Sequence, residues 1–266
     1  VLFLDVLLQT LIHAVADILP LDGPGHLALF GRVAPGATEA VMLAVAAQGG
    51  IAAALVCYFW RDMAAMAVGI VRFPKRRIDP GGRLFLLLVV GNIPAIGLLF
   101  LFPGLMQVSP PVLVTAGMLA LFGLLLLLAD HLGVTVHRVE HLGWGQVAVI
   151  GALQAVSVIP GIGRVALSVM AARFLGYERH HAARLALLLS IPLLLAQMLM
   201  VTSVLASRVE LRFSSDMLLV AGITFGVALV TVAALMGWVG RRTFRPFAWW
   251  RIVVGSGAVA LLLIFG

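Results

Sequence analysis

Apolar residues run almost unbroken along this chain, so the informative positions are those where polar groups interrupt them. Six runs are long enough to cross a bilayer as helices, which takes ~20 residues. They are 40–60, 84–103, 111–129, 185–206, 217–238 and 249–265. Two further apolar stretches, about 4–33 and 143–175, break in the middle. In the first, which contains TLIHAVADILPLDGPGHLALFGR, His13 and Asp17 are four residues apart and share one helix face. Pro20 ends that helix, and Asp22, Gly23, Pro24 and Gly25 turn the chain before His26. In the second, an apolar helix breaks between Ser157 and Gly163, and Arg164 opens a new apolar arm. No arm comfortably spans a bilayer, so each stretch predicts a re-entrant hairpin that turns at depth and leaves by the face it entered. Irregular polar backbone at that depth requires surrounding protein or a wet cavity.

Composition agrees with this pattern. Of 266 residues, 62% are hydrophobic and 11% charged, with mean hydropathy +1.14. A soluble domain is nearer 45–50% apolar and about 25% charged. The fold class expected is therefore an all-α polytopic membrane protein: six full transmembrane helices plus two re-entrant helical hairpins. The continuous runs do not fit the short alternating strands of a membrane barrel. With no linker or low-complexity tract, residues 1–266 read as a single integral membrane domain. The chain begins at Val1, so the natural start is expected upstream, and no cleavable signal peptide is evident. The lone Cys57, in an apolar run, excludes an intrachain disulfide.

A net charge of +7 would suit nucleic acid, but the basic residues sit in short loops between apolar runs. No nucleic-acid partner is expected. Loops 61–83, 130–184 and 239–251, leaving out Arg164, carry 14 Lys plus Arg, against Arg32, Arg208 and Arg212 on the other side. That bias places the first set in the cytoplasm. The two hairpins then enter from opposite faces and their tips meet near the midplane, as in inverted-repeat membrane proteins. A faint echo between HAVADILP and QAVSVIP points the same way. His131, His137, His141, His180 and His181 fall in the predicted cytoplasmic loops and read as solvated.

The candidate chemistry gathers at the tips: His13, Asp17, Asp22, His26, Gln154, Arg164, Ser168 and, further off, Gln48. A guanidinium in a membrane is costly and stays charged, so Arg164 needs an anion. Following Pro160-Gly161-Ile162-Gly163, it stands where helix N-terminal amides face an anion, a phosphate cradle. An ion pair with Asp17 or Asp22 is the other reading. His26 could attack phosphorus or act as its general base, or be a structural hydrogen-bonded histidine. Asp17 with His13 could hold a metal or a proton, Asp22 could cap the turn, and Ser168 lies one helical turn beyond Arg164. No Gly-x-Ser-x-Gly elbow, HExxH helix or P-loop is present. Asn92, Pro94 and Pro192 read as kink and packing residues.

These residues resemble those of a known family. ADILPLDGPGH is similar to TEFLPVSSTGH, and PGIGRVALS (160–168) to PGFSRSGAT, of the bacterial undecaprenyl-diphosphate phosphatases, the bacitracin-resistance family. GNIPAIGLLF, LLLSIP around Pro192 and RPFAWWRIVVG (245–255) resemble further family segments in order, so the likeness covers nearly the whole chain. The resemblance implies interlocked re-entrant hairpins and a multi-pass protein of the bacterial inner membrane. Its headgroup site would open toward the periplasmic face. The implied reaction hydrolyses a polyprenyl diphosphate to the monophosphate and phosphate, recycling the lipid carrier of cell-wall synthesis.

Carried onto this chain, the resemblance makes His26, Arg164 and Asp17 catalytic. Arg164, Gly161, Gly163, Ser168, Gln154 and Asp22 would bind substrate. Asp17 and His13 would hold a divalent metal, Mg²⁺ or Ca²⁺, if the protein is catalytic, and no cofactor would be needed otherwise. The expected partners are the polyprenyl (di)phosphate and the bilayer, with a homodimer left open. The site also departs from the family. His13 and Asp17 stand where the family has two glutamates, Asp22 and Gly23 where it has paired serines, and Pro24 where it has threonine. In the second motif Gly163 and Val165 replace serines, Ala166 a glycine and Ser168 a threonine. Losing one donor from a preorganised site costs ~10²–10³ in rate. The alternative expectation is therefore a non-catalytic polyprenyl-phosphate binding protein or flippase.

Overall fold

The breaks expected after Ile18 and before Arg164 both recur as helix boundaries. The computed structural model describes residues 2–30, 38–73, 79–102, 104, 110–207 and 214–265. Among them are eleven α-helices: α1 Leu2–Ile18, α2 Gly23–Phe30, α3 Thr38–Tyr58, α4 Trp60–Arg72, α5 Pro80–Leu101, α6 Val112–Leu132, α7 Trp144–Val156, α8 Arg164–Phe174, α9 Arg179–Ala206, α10 Ser215–Val239 and α11 Arg245–Phe265. No strand is present among the described residues; one isolated bridge joins His137 to Tyr177. Of the charges counted above, Arg32, Lys75, Arg76, Arg77, Arg208 and Arg212 lie outside the described residues, as does most of the 104–109 connection.

Six helices are long and apolar enough to cross a membrane: α5, α6, α9, α10, α11 and the Val41–Tyr58 part of α3. The chain is a multi-pass membrane protein. Local signals set the ends. Asp79 caps α5, accepting the Gly82 amide at 2.8 Å with Pro80 in the first turn, and Ser214 accepts the Met217 amide at 3.3 Å to start α10. Helix α9 starts six residues before the predicted 185. Its polar first turns are held from neighbouring helices, Arg179 by Asp130 (2.6 Å) and Arg184 by Asp62 (2.5 Å), which an apolar window cannot register. Residues 63–71, expected to lie along or dip into the membrane, belong to α4, which buries Met66 and Gly69 and exposes Val68, Ile70 and Val71.

Helices α7 and α8 fold back on each other. The Tyr177 hydroxyl donates to Gln146 Oε1 at 2.7 Å, and burial pushes the phenol up to about 12, so it stays a donor. Beside that contact, Arg173 donates to the carbonyls of Tyr177 (2.5 Å) and Gly133 (2.5 Å), at the end of α6. Every residue from Arg164 to Arg173 is buried, so α8 is an internal helix. Asp130, His137 and Arg173 correct the loop reading. Asp130 is buried in the last turn of α6 and accepts the Phe244 amide at 3.1 Å, His137 donates Nδ1–H to the Leu175 carbonyl at 3.0 Å, and Arg173 is fully buried. They anchor the base of the α7–α8 pair. Helices α1 and α2 form the second pair; Leu7 of α1 packs, as does Met217, against the buried cluster of Leu43, Ala47 and Val220 near the starts of α3 and α10.

Helix α7 can approach α5 because Gly151 faces Gly91. A methyl group at 151 would collide with the Gly91 carbonyl. Gly151→Ala is therefore expected to cost about 1–3 kcal/mol through overpacking. The loss would be read as a lower midpoint in a thermal series followed by size-exclusion chromatography.

Candidate functional site

The turn between α1 and α2 is fixed by Asp22, the one non-glycine residue with positive φ (84°) among those described. Aspartate tolerates this conformation because its short side chain bonds locally. Here Asp22 Oδ2 accepts the Gly25 amide at 3.0 Å, which caps α2 as the sequence suggested, and also the Gly161 amide at 2.5 Å. One carboxylate oxygen thus joins the two turns. His26 lies in the first turn of α2, with its Nδ1 2.7 Å from the Asp22 carbonyl oxygen. A carbonyl only accepts, so Nδ1 carries the proton and Nε2 the lone pair. Nε2 in turn accepts the Trp250 indole N–H at 2.9 Å.

The opposing turn uses positive φ at Gly161 (97°) and Gly163 (80°). A side chain at 163 would be strained by its φ and would press on Asp22 and on Arg251. Arg164 follows as the first residue of α8, and its Nη2 pairs with Asp17 Oδ2. Both side chains are 8% exposed. Of the two partners the sequence left open, Asp17 takes the direct ion pair. Arg164 Nε and His13 Nδ1 are buried without a hydrogen-bond partner, and His13 lies against Gly23.

Arg251, 0% exposed, closes the arrangement. Its Nη2 donates to the carbonyls of Gly161 (2.7 Å) and Ile162 (2.8 Å), and its Nη1 to Pro20 (3.5 Å). Asp17, Asp22, His26, Gly161, Gly163 and Arg164 thus form one buried cluster, stitched by Arg251. What its parts can do chemically is hold an anion at the Arg164 guanidinium, beyond the Gly161–Gly163 turn, and present a neutral imidazole at His26, on the Asp22 turn bonded to it.

The relatives of the chain share this site's span. The family model described as Bacitracin resistance protein BacA matches residues 6–257. The chain belongs to the BacA family. Undecaprenyl-diphosphatase 1 of Paramagnetospirillum magneticum is 42% identical over 99% of this chain and 98% of its own length. Undecaprenyl-diphosphatase 1 of Rhodospirillum rubrum is 38% identical over 98% and 95%, and the undecaprenyl-diphosphatase of Maricaulis maris 34% identical over 96% of each.

Two expected substrate ligands of this BacA-family chain bond elsewhere. Ser168 donates to Gln154 Oε1 at 3.2 Å and Gln154 to Asn92 Oδ1 at 3.5 Å, a buried polar chain that ties α8 to α7 and α5. Asn92 is thus more than a packing residue. Gln48, on α3, keeps its buried amide oxygen without a partner. Sequence reading missed Trp250 and Arg251, taking the latter as a loop charge. Its position inside the predicted 249–265 span was the available signal, because an arginine there needs a partner in the protein interior.

Among the described residues the donor set at Asp17 and His13 does not make up a protein-held site for a divalent metal. No group of three His, Cys, Asp or Glu gathers among the described residues. Asp17 is already paired with Arg164, and Mg²⁺ and Ca²⁺ prefer several oxygen ligands over one carboxylate and an imidazole.

Proposed function

We propose that this BacA-family protein hydrolyses undecaprenyl diphosphate, or a polyprenyl diphosphate of similar length, to the monophosphate and phosphate. The observation that carries the reading is the bond from Gly161 to Asp22, which joins the turn leading into the buried Arg164 to the turn that orients His26 with its lone pair on Nε2. Arg164 exchanges part of its pairing with Asp17 for the diphosphate, whose oxygens can also take the first amides of α8, which lack intrahelical acceptors. His26 Nε2 either takes the proton of the water that attacks the terminal phosphorus, or attacks it directly to give a phosphohistidine whose N–P bond water then cleaves to release phosphate. The bond to the bridging oxygen breaks and the lipid monophosphate leaves. Asp22 keeps both turns joined throughout, and Asp17 retains the rest of its pairing with Arg164.

The same reading treats α1–α2 and α7–α8 as re-entrant hairpins related as an inverted repeat. Support comes from their packing: the base of α7–α8 sits at the Asp130 end of α6, while Leu7 of α1 packs at the starts of α3 and α10. Gly161 lies against Thr115 and Leu119, toward the other end of α6, which favours a headgroup site opening to the periplasmic face of the inner membrane. All the residues named come from one chain, so the reaction requires no homodimer.

The test is phosphate release by purified protein in lipid nanodiscs supplied with undecaprenyl diphosphate, with chelator and with added Mg²⁺ or Ca²⁺. Release by the unaltered protein is expected, with release lost and lipid binding kept in His26→Gln. Arg164-dependent binding without any release would replace the reading with a carrier or flippase.

A further inference from the structure

Trp250 is more than half exposed (53%), whereas His26, to which its indole N–H bonds, is 5% exposed. A tryptophan serving only as an interfacial anchor sends its N–H to headgroups or water. This one sends it inward, to the single lone pair of a buried imidazole. An indole nitrogen can only donate, and Nδ1–H is committed to the Asp22 carbonyl, so this bond occupies the nitrogen that the proposed reaction needs. The two rings lie nearly parallel, 11° apart, with the indole on the exposed side.

The neighbouring residue determines how the cover can move. Arg251 is pinned to carbonyls of both turns, so the α11 backbone is fixed relative to His26. Trp250 can leave Nε2 only by changing its own rotamer, which needs no helix movement and is fast for an exposed side chain.

We propose that Trp250 is a positioning residue that covers His26 Nε2 in the resting protein and is displaced by the diphosphate headgroup, while the bond from Nδ1 to Asp22 keeps the ring oriented. This rests on the hydrolase reading above. The displaced bond is one net hydrogen bond of about 1 kcal/mol, which converts to about five-fold in an equilibrium constant.

Trp250→Phe keeps a ring and removes the donor. Its kcat/KM for undecaprenyl diphosphate is expected to rise about five-fold; an unchanged or lower value overturns the proposal. The second measurement uses the unaltered chain labelled with ¹⁵N-indole tryptophan. The resonance lost in Trp250→Phe (or in Trp250→Tyr, should the first variant not fold) is expected to shift toward the position of a hydrated indole in His26→Ala. It is expected to make the same move when a non-hydrolysable prenyl methylenebisphosphonate is added. A signal indifferent to His26→Ala overturns the cover whether or not phosphate is released. Absence of release by the unaltered protein overturns the hydrolase reading and leaves the indole contact standing.

Discussion

Arg164→Met is expected to abolish phosphate release and to cost about 3–5 kcal/mol of stability at the same time. Its partner Asp17 is buried, and removing one member of such a pair leaves an uncompensated charge. Stability loss alone would not show what the arginine is for, so the informative chain is Arg164→Met with Asp17→Asn. Replacing both ions restores most of the stability, because neither charge is left alone. Release should stay down by at least ~10², the scale for losing a group aimed at developing charge. The two readouts are the thermal midpoint in detergent and the initial rate of phosphate release. Recovery of both in the double variant would mean that the pair only braces the fold and that the anion is held elsewhere.

Arg251→Met is expected to be as damaging to the fold, by a different route. Three carbonyls, of Pro20, Gly161 and Ile162, lose their donor at once, in the interior, and Asp22 loses its cationic neighbour. Buried acceptors left without a donor cost about 1–3 kcal/mol each, although not additively, so a total near 3–5 kcal/mol is expected. Hydrogen exchange supplies the specific signature: amides around 19–22 and around 157–163 should lose protection together, because one side chain ties the two turns. Arg251→Lys keeps the charge but cannot fork across several oxygens, and should recover only part of the loss. Loss of protection at one turn alone would show that the turns are held independently.

Much of this architecture was legible in the sequence. The six long helices were visible because bilayer thickness sets a minimum apolar length, and the two broken pairs because Pro20, Gly161 and Gly163 cannot continue a helix in the conformations seen. Arg164 was legible for the same reason any intramembrane charge is: it must have a partner. Which partner was not, since Asp17 and Asp22 are equivalent in the sequence and only the packing of α1 against α8 separates them. Trp250 meets His26 across 224 positions and Arg251 meets Pro20 across 231, so no local pattern encodes either contact. The polar residues at the base of α7–α8 were misread because hydropathy treats Asp130 and Arg173 as loop charges, whereas each satisfies the other's surroundings in the interior.

The fastening by Arg251 has a consequence for how such a protein can diverge. The guanidinium grips main-chain oxygens, and every amino acid supplies one of these in the same place. Side chains on the two turns can therefore change over generations wherever the backbone conformation admits one, while Gly161 and Gly163, with positive φ, are held to glycine by the same frame. What the headgroup meets can thus be retuned at the side chains while the fastening itself asks only for main-chain oxygens.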